Sequence, residues 1–122
     1  MPTSTAQLEE FLAKGSLRTS SLFAPTEQLA SEYGVIDEEE IEYAALEIAR
    51  NAAEDSGRQS IIALELDIDS KSPREISPGI LDGDFALMWK DVQAIYLIVE
   101  EEQELTWYDA SEATLCLKNL GV

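Results

Sequence analysis

The chain has 122 residues, of which 25 are Asp or Glu, eight are Lys or Arg, one is Cys and none is His, so its formal net charge is −17. This length is typical of one domain, taken as residues 1–122, and the apolar content is high enough for a folded core. Conventional zinc sites and Ser-His-Asp or Cys-His catalysis are excluded for want of ligands, and the charge disfavours direct binding to nucleic acid or an anionic membrane.

The first part of the chain is predicted to form two short helices around a strand. Ser4 and Gln7 are spaced as a capping box, which predicts a helix over residues 5–14. A short strand over 20–24 and a second helix over 26–33 follow.

The clearest element is a long helix over residues 38–56. Asp37 is its predicted N-cap, with Glu40 at the capping-box position. Ile36 and Ile41 occupy the two positions of a hydrophobic staple. Apolar side chains recur on one face, at Ile41, Ala45, Ile48, Ala49 and Ala52. The alanines favour close packing of this helix against a sheet.

The middle of the chain is predicted to contain strands and a loop. Residues 61–69 are predicted as a strand, and in its second half apolar and polar side chains alternate, which is typical of a strand with one face in solvent. Proline and glycine residues predict a long loop over 70–84. Strands over 85–89 and 94–99 follow, and the second is apolar on both faces and should be central in its sheet.

The C-terminal part ends in a helix. Residues 105–108 are either a hairpin partner of the central strand or a loop. Asp109 and Glu112 form a capping box that opens a helix over 110–120. Together the elements predict an α+β fold, with a small, mostly antiparallel sheet of three to five strands and helices packed mainly on one face.

Few residues suggest catalytic or metal chemistry. A calcium-loop pattern that starts at Asp67 fails at the positions that require an oxygen ligand, Gly and Glu. Asp82 and Asp84 flank Gly83 and would hold a hard cation only weakly, so they are interpreted as a turn. Cys116 is interpreted as a buried apolar side chain. We therefore assign no catalytic residue, metal ligand or cofactor.

Two acidic stretches form a candidate interaction surface. Its members are Glu38, Glu39, Glu42, Tyr43, Glu100, Glu101, Glu102 and Glu104. The first stretch also suits the start of a helix, where the macrodipole favours anions, and the second also suits a solvated strand end. The functional hypothesis is that both attract a basic protein or peptide.

Several motifs resemble those of a known family. The run Asp-Glu-Glu-Glu-Ile-Glu-Tyr-Ala-Ala-Leu at 37–46, with Phe-Ala-Pro-Thr at 23–26 and an aromatic at Tyr33, resembles small uncharacterised actinobacterial proteins grouped as a domain of unknown function. The apolar strand that ends in acids at 95–102 is similar to that family's late strand. The resemblance implies a soluble bacterial protein and brings no activity, cofactor or site residue. Family members begin with a strand that is absent ahead of Pro2, so we expect a misassigned start codon or an exposed sheet edge.

The leading functional hypothesis is a non-enzymatic, cytoplasmic protein-interaction or regulatory module. The absence of a signal peptide, of a membrane-spanning run and of a second Cys favours the cytoplasm. One alternative is a nucleic-acid mimic that occupies a DNA-binding protein, and another is a carboxylate-based enzyme or a protein that binds Ca²⁺ or Mg²⁺. An exposed sheet edge would also allow a homodimer.

Overall fold

The computed structural model describes residues 1–65, 74–98 and 105–119, which contain four α-helices and seven strands. The helices are α1 (Thr5–Lys14), α2 (Glu27–Tyr33), α3 (Glu38–Asp55) and α4 (Ala113–Asn119). The strands are β1 (Pro2–Thr3), β2 (Ser16–Phe23), β3 (Ser60–Leu64), β4 (Arg74–Ser77), β5 (Ile80–Met88), β6 (Val92–Leu97) and β7 (Thr106–Asp109). The predicted elements and candidate residues that fall on 66–73, 99–104 and 120–122 lie outside the described residues, among them Glu100, Glu101, Glu102 and Glu104.

Capping residues set the helix boundaries, and the four predicted helices are confirmed. Ser4 and Gln7 form the predicted capping box of α1. The Asp37 side chain caps α3 by accepting a hydrogen bond from the backbone N–H of Glu39 at 2.9 Å. The predicted staple at the start of α3 is wrong, because Ile36 is 97% exposed. The first turn of α3 is solvent-exposed on all sides, so Ile36 finds no apolar partner there.

The strands form two antiparallel sheets, which confirms the predicted α+β class. One sheet has the order β1-β3-β6-β7, and the other has the order β2-β5-β4. β6 lies between β3 and β7, as its apolar sequence predicts. Residues 105–108 were predicted to be either a loop or a hairpin partner of the central strand. They form most of β7, which pairs antiparallel with β6, so the second alternative is correct.

Both faces of the four-stranded sheet are covered. Ile62 and Ile95 are paired across β3 and β6, and both are fully buried in a core with α1, α4 and the second sheet. Ile61 faces the opposite way and packs on Ala49 and Ala53 of α3. The predicted solvent face of the strand is therefore wrong over β3, because α3 covers it. The helices were predicted to pack mainly on one face of the sheet, but α1 and α4 lie on one face and α3 lies on the other.

The predicted loop over residues 70–84 is wrong from Arg74 onward, where β4 and the start of β5 form a hairpin. Pro78 and Gly79 occupy its turn, and Gly79 has a positive φ of 78°, which is typical of a type II turn. One carboxylate oxygen of Glu75 accepts hydrogen bonds from the backbone N–H of Gly79, at 2.8 Å, and from the Thr26 hydroxyl. The hairpin is thereby tied to the start of α2.

Asp82 and Asp84 lie within β5, so their interpretation as a turn is also wrong. Each carboxylate is paired with an arginine of a neighbouring strand. Asp84 contacts Arg18 of β2, and Asp82 lies 3.7 Å from Arg74 of β4. Each of the two carboxylates considered as a weak cation site therefore lies beside an arginine in an exposed ion pair.

Candidate interaction groove

A groove of about 800 Å³ opens between α3, β3 and the end of β2. Its apolar lining comes from the end of β2 and from one side of α3, and includes Leu22, Phe23, Ala45, Leu46 and Ala49. The small alanines let α3 lie close to the sheet. The groove remains open beside them because α3 contacts β1 and β3 chiefly through its later turns, around Ala49 and Ala53.

The edge of β3 forms one wall of the groove. All five consecutive residues from Ile61 to Glu65 line it. Side chains of a strand point alternately to opposite faces, so a wall made of consecutive residues is the edge of the strand rather than a face. An apolar groove therefore borders a line of backbone peptide groups.

The β1 strand covers only the first part of this edge. Pro2 is paired with Ile61, and Thr3 with Ser60. Met1 and Ile62 exchange two hydrogen bonds, from the Met1 amine to the Ile62 carbonyl at 2.8 Å and from the Ile62 N–H to the Met1 carbonyl at 2.9 Å. Leu64 lies beyond the last of these bonds.

The backbone of Leu64 faces the groove. The N–H of Glu65 donates to the Asp91 carbonyl at 2.9 Å, which makes Leu64 and Val92 a non-hydrogen-bonded pair of the antiparallel ladder. In such a pair the N–H and C=O groups point away from the partner strand. Those of Leu64 therefore point away from β6, toward the side on which β1 pairs.

Carboxylates border the groove. Glu39, Glu42 and Tyr43 reach it from the N-terminal half of α3, and Glu65 reaches it from the end of β3. Among the described residues that line it there is no Lys or Arg. Met1 also lines it, but its amine is buried against the Ile62 carbonyl, and burial lowers the pKa of this amine to about 5, so it is mostly neutral at pH 7. The groove is consequently anionic at its rim and apolar inside.

The structure brings part of the predicted interaction surface together. Glu39, Glu42 and Tyr43 share the groove, since positions three and four apart lie on one side of a helix. Glu38 is exposed on the first turn of α3 and does not line the groove.

Sequence reasoning missed Glu65 and the open part of β3. The sequence placed Glu65 on the solvent-facing side of the predicted strand over 61–69. The alternation of apolar and polar residues in that strand was the signal that could have identified it. The open edge depends on how far β1 extends along β3, and two residues such as Pro2–Thr3 carry no periodicity from which a strand could be predicted.

Titratable groups elsewhere with a shifted pKa have structural explanations. Burial raises the pKa of the Cys116 thiol, which is fully buried, and this confirms its interpretation as a core residue. The side chain and the backbone N–H of Ser111 donate hydrogen bonds to Asp109 and lower its pKa, as expected for a cap. Within residues 1–65, 74–98 and 105–119, no three Cys, Asp or Glu side chains are grouped as metal ligands would be.

A model of a protein family, described as a family of unknown function (DUF6912), matches residues 1–101. The chain belongs to DUF6912. The match includes β2, α3 and β3, so every wall of the groove lies within the part of the chain that defines DUF6912 membership. A search of the curated proteins and a search of the solved structures each found no match.

Membership of DUF6912 identifies an uncharacterised domain, as the resemblance implied, and assigns it no activity. The actinobacterial origin stays a prediction. Over the described part of the chain, no helix combines the length and the apolar character that crossing a membrane requires.

Proposed function

We propose that this DUF6912 protein is a non-enzymatic, cytoplasmic interaction module whose groove binds a short apolar segment of a partner protein, flanked by Lys or Arg. The single observation that carries the proposal is the combination of an open apolar groove with a rim of three carboxylates, Glu39, Glu42 and Glu65, and no basic side chain among the described lining residues. A regulatory role would follow if the bound segment controls the partner's own activity.

Charge complementarity defines the ends of the segment. The acidic rim attracts Lys and Arg during association and disfavours acidic partners. The net charge of the whole chain, −17, acts in the same direction over a longer range. We therefore expect binding to weaken as salt is added, because rim charges are screened.

The apolar lining defines the centre of the segment. Phe23, Leu46 and Leu64 are only partly buried and offer apolar area, and burial of such area is the main favourable term in protein association. Tyr43, which is 62% exposed at the rim, is of a residue type enriched in interfaces. A partner with only basic residues would leave this lining in water.

A second copy of the chain is a poorer occupant than a basic segment. It would place two sets of rim carboxylates near each other and would add a charge of −17 to a charge of −17. Like charges that face each other across an interface are unfavourable. The homodimer predicted from an exposed edge is therefore an outcome to be tested and not the function proposed.

Calorimetric titration with a designed peptide tests the proposal. The probe is acetyl-Lys-Lys-Val-Ile-Val-Ile-Lys-Lys-amide, and the same centre flanked by Glu is the control peptide. We expect Glu39→Lys with Glu42→Lys to weaken binding of the basic probe by about tenfold or more, equivalent to about 1.4 kcal/mol.

The matched control is Glu38→Lys with Glu47→Lys, which makes the same charge change at exposed positions of α3 outside the groove. We expect it to weaken binding by less than about threefold, since only long-range attraction changes. Equal losses in the two variants, equal binding of the two peptides, or no binding of the basic probe would each contradict the proposal.

A further inference from the structure

We infer that the segment bound by the groove carries an arginine at one of its ends, and that the guanidinium of this arginine stacks on Trp107 beside Tyr96. This inference rests on the proposed function and specifies one side chain of the partner together with the residue that recognises it. It makes Trp107 a residue that determines specificity, by favouring arginine over lysine.

A row of paired residues connects the groove to the β7 edge of the four-stranded sheet. Ile61 of β3 is paired with Tyr96 of β6, and Tyr96 is paired with Trp107 of β7. Paired residues share a face, so all three point to the side on which Ile61 packs on α3. Tyr96 lines the groove, and neighbouring strands lie about 4.8 Å apart. An arginine at the end of the bound segment is long enough to cross this single strand spacing and reach Trp107.

Trp107 offers aromatic surface to solvent on the α3 side of the sheet. The α3 helix packs on β1 and β3, at one edge of this face, whereas Trp107 lies at the opposite edge and is 55% exposed. Its neighbour Tyr108 points to the other face, where its hydroxyl accepts a hydrogen bond from the Asn119 amide of α4 at 2.5 Å. The α4 helix therefore packs on the face away from Trp107.

The charge beside Trp107 favours a cation. Asp109 lies two residues further along β7, so its side chain points to the same face as Trp107. The hydroxyl and the backbone N–H of Ser111 donate hydrogen bonds to Asp109 and lower the pKa of this carboxyl, which keeps it ionised at pH 7. A cation over the indole is thus attracted by the ring and by a nearby carboxylate.

The exposed indole distinguishes arginine from lysine. A guanidinium is planar, weakly hydrated and able to stack on an aromatic ring, whereas the lysine ammonium is compact and strongly hydrated. Stacking at a half-exposed ring therefore costs arginine less hydration. An apolar or proline side chain would also cover the ring, but it would gain nothing from the charge of Asp109.

Calorimetric titration with two probes tests the inference. The probes are acetyl-Arg-Arg-Val-Ile-Val-Ile-Arg-Arg-amide and the lysine peptide with the same centre. We expect the parent chain to prefer the arginine probe by about threefold to fivefold, the size of a cation–π contact at an exposed site. Rim carboxylates can also favour arginine, so the deciding result is the loss of this preference, to less than about 1.5-fold, in Trp107→Leu. Trp107→Tyr keeps an aromatic ring and is the matched control, with most of the preference expected to remain.

The indole N–H signals of the ¹⁵N-labelled parent chain give a second readout that requires no variant to fold. The chain has two tryptophans. We expect the signal of Trp107 to shift on addition of the arginine probe, and more than with the lysine probe. Trp89 is the internal control, because it packs on Phe11, with the ring centroids 5.2 Å apart, and should change little.

The outcomes separate this inference from the proposed function. Equal binding of the two probes with an unmoved Trp107 signal would overturn arginine recognition and leave the groove as a binding site. A Trp107 signal that shifts equally with both probes, with equal losses for both in Trp107→Leu, would show an apolar contact and would also overturn it. Failure of both probes to bind would overturn the inference and the proposed function together.

Discussion

The Met1 amine is an ionisable group that folding removes from water. It lies against the Ile62 carbonyl, at 2.8 Å, and desolvation lowers its pKa from 8.0 to about 5. Between these two values the unfolded chain binds more protons than the folded chain, so the free energy of unfolding must increase with pH. Above about pH 8 the amine is neutral in both states and its burial has no ionisation cost. As the pH falls toward 5 this cost grows, and the free energy of unfolding decreases.

We predict that the free energy of unfolding falls by a few kcal/mol between pH 8 and pH 5.5, at about 1.4 kcal/mol per pH unit over most of the window. Urea denaturation at a series of pH values measures it. The same chain with an acetylated N-terminus is the control, because an amide does not titrate while its N–H still donates to Ile62. If the acetylated and free chains show the same pH dependence, the buried amine is not its cause.

Gly79 is required at its turn for two reasons. Its φ is positive, and an added Cβ would lie 2.8 Å from both Ile48 Cδ1 and Leu29 Cδ2. The turn therefore packs directly against α2 and α3, as the bonds of Glu75 to Gly79 and Thr26 also indicate.

We predict that Gly79→Ala destabilises the protein by about 2–4 kcal/mol, as the sum of backbone strain and a steric clash. Gly57→Ala is the matched control, since Gly57 has a φ of 72° and open space around the added Cβ. It should cost about 1 kcal/mol. Equal losses in urea denaturation would show that the turn does not pack on the helices as described.

At the scale of elements, α3 decides where the groove lies. Its buried positions are Ala44, Ala45, Ala49 and Ala53, so the predicted stripe is confirmed at Ala45 and Ala49 and missed Ala44 and Ala53. Ile48 is half-buried and packs toward Leu29. A helix that lies close to a sheet buries its smallest residues, and on α3 these are all alanines.

We predict that Ala53→Leu destabilises the protein by about 1–3 kcal/mol, because Ala53 is fully buried against the sheet and a larger side chain must push α3 away. Ala13→Leu makes the same change on the exposed side of α1 and should be within about 0.5 kcal/mol of the parent chain. Thermal or urea unfolding of the pair gives the comparison. A neutral Ala53→Leu would mean that α3 does not lie close to β3.

Local chemistry explains which elements could be predicted from the sequence. The ends of α1, α2 and α3 follow from caps that lie within a few residues of each helix. The β4–β5 hairpin was missed although Pro78 and Gly79 carry a type II turn signature, because residues 74–77 show little alternation. The short β1 and the uncovered edge of β3 depend on pairing between residues about 60 positions apart, for which one sequence gives no signal.

At the scale of the whole molecule, the chain carries a net charge of −17, and few ion pairs are formed among the described residues. Exposed pairs such as Lys14–Glu10 contribute little to stability. The charge therefore acts mainly on what approaches the protein. Under the proposed function it favours basic partners, and the groove adds apolar contact to this attraction.

A map of backbone amide chemical shifts tests this account most directly. The ¹⁵N-labelled chain is titrated with acetyl-Lys-Lys-Val-Ile-Val-Ile-Lys-Lys-amide at physiological salt. We predict that the largest shifts fall on the groove, from Glu39 to Ala49 of α3 and from Ile61 to Glu65 beside β3, and that Asp82 and Asp84 of β5 change little. Shifts spread evenly over the acidic surface, or centred on β5, would contradict the groove as the binding site.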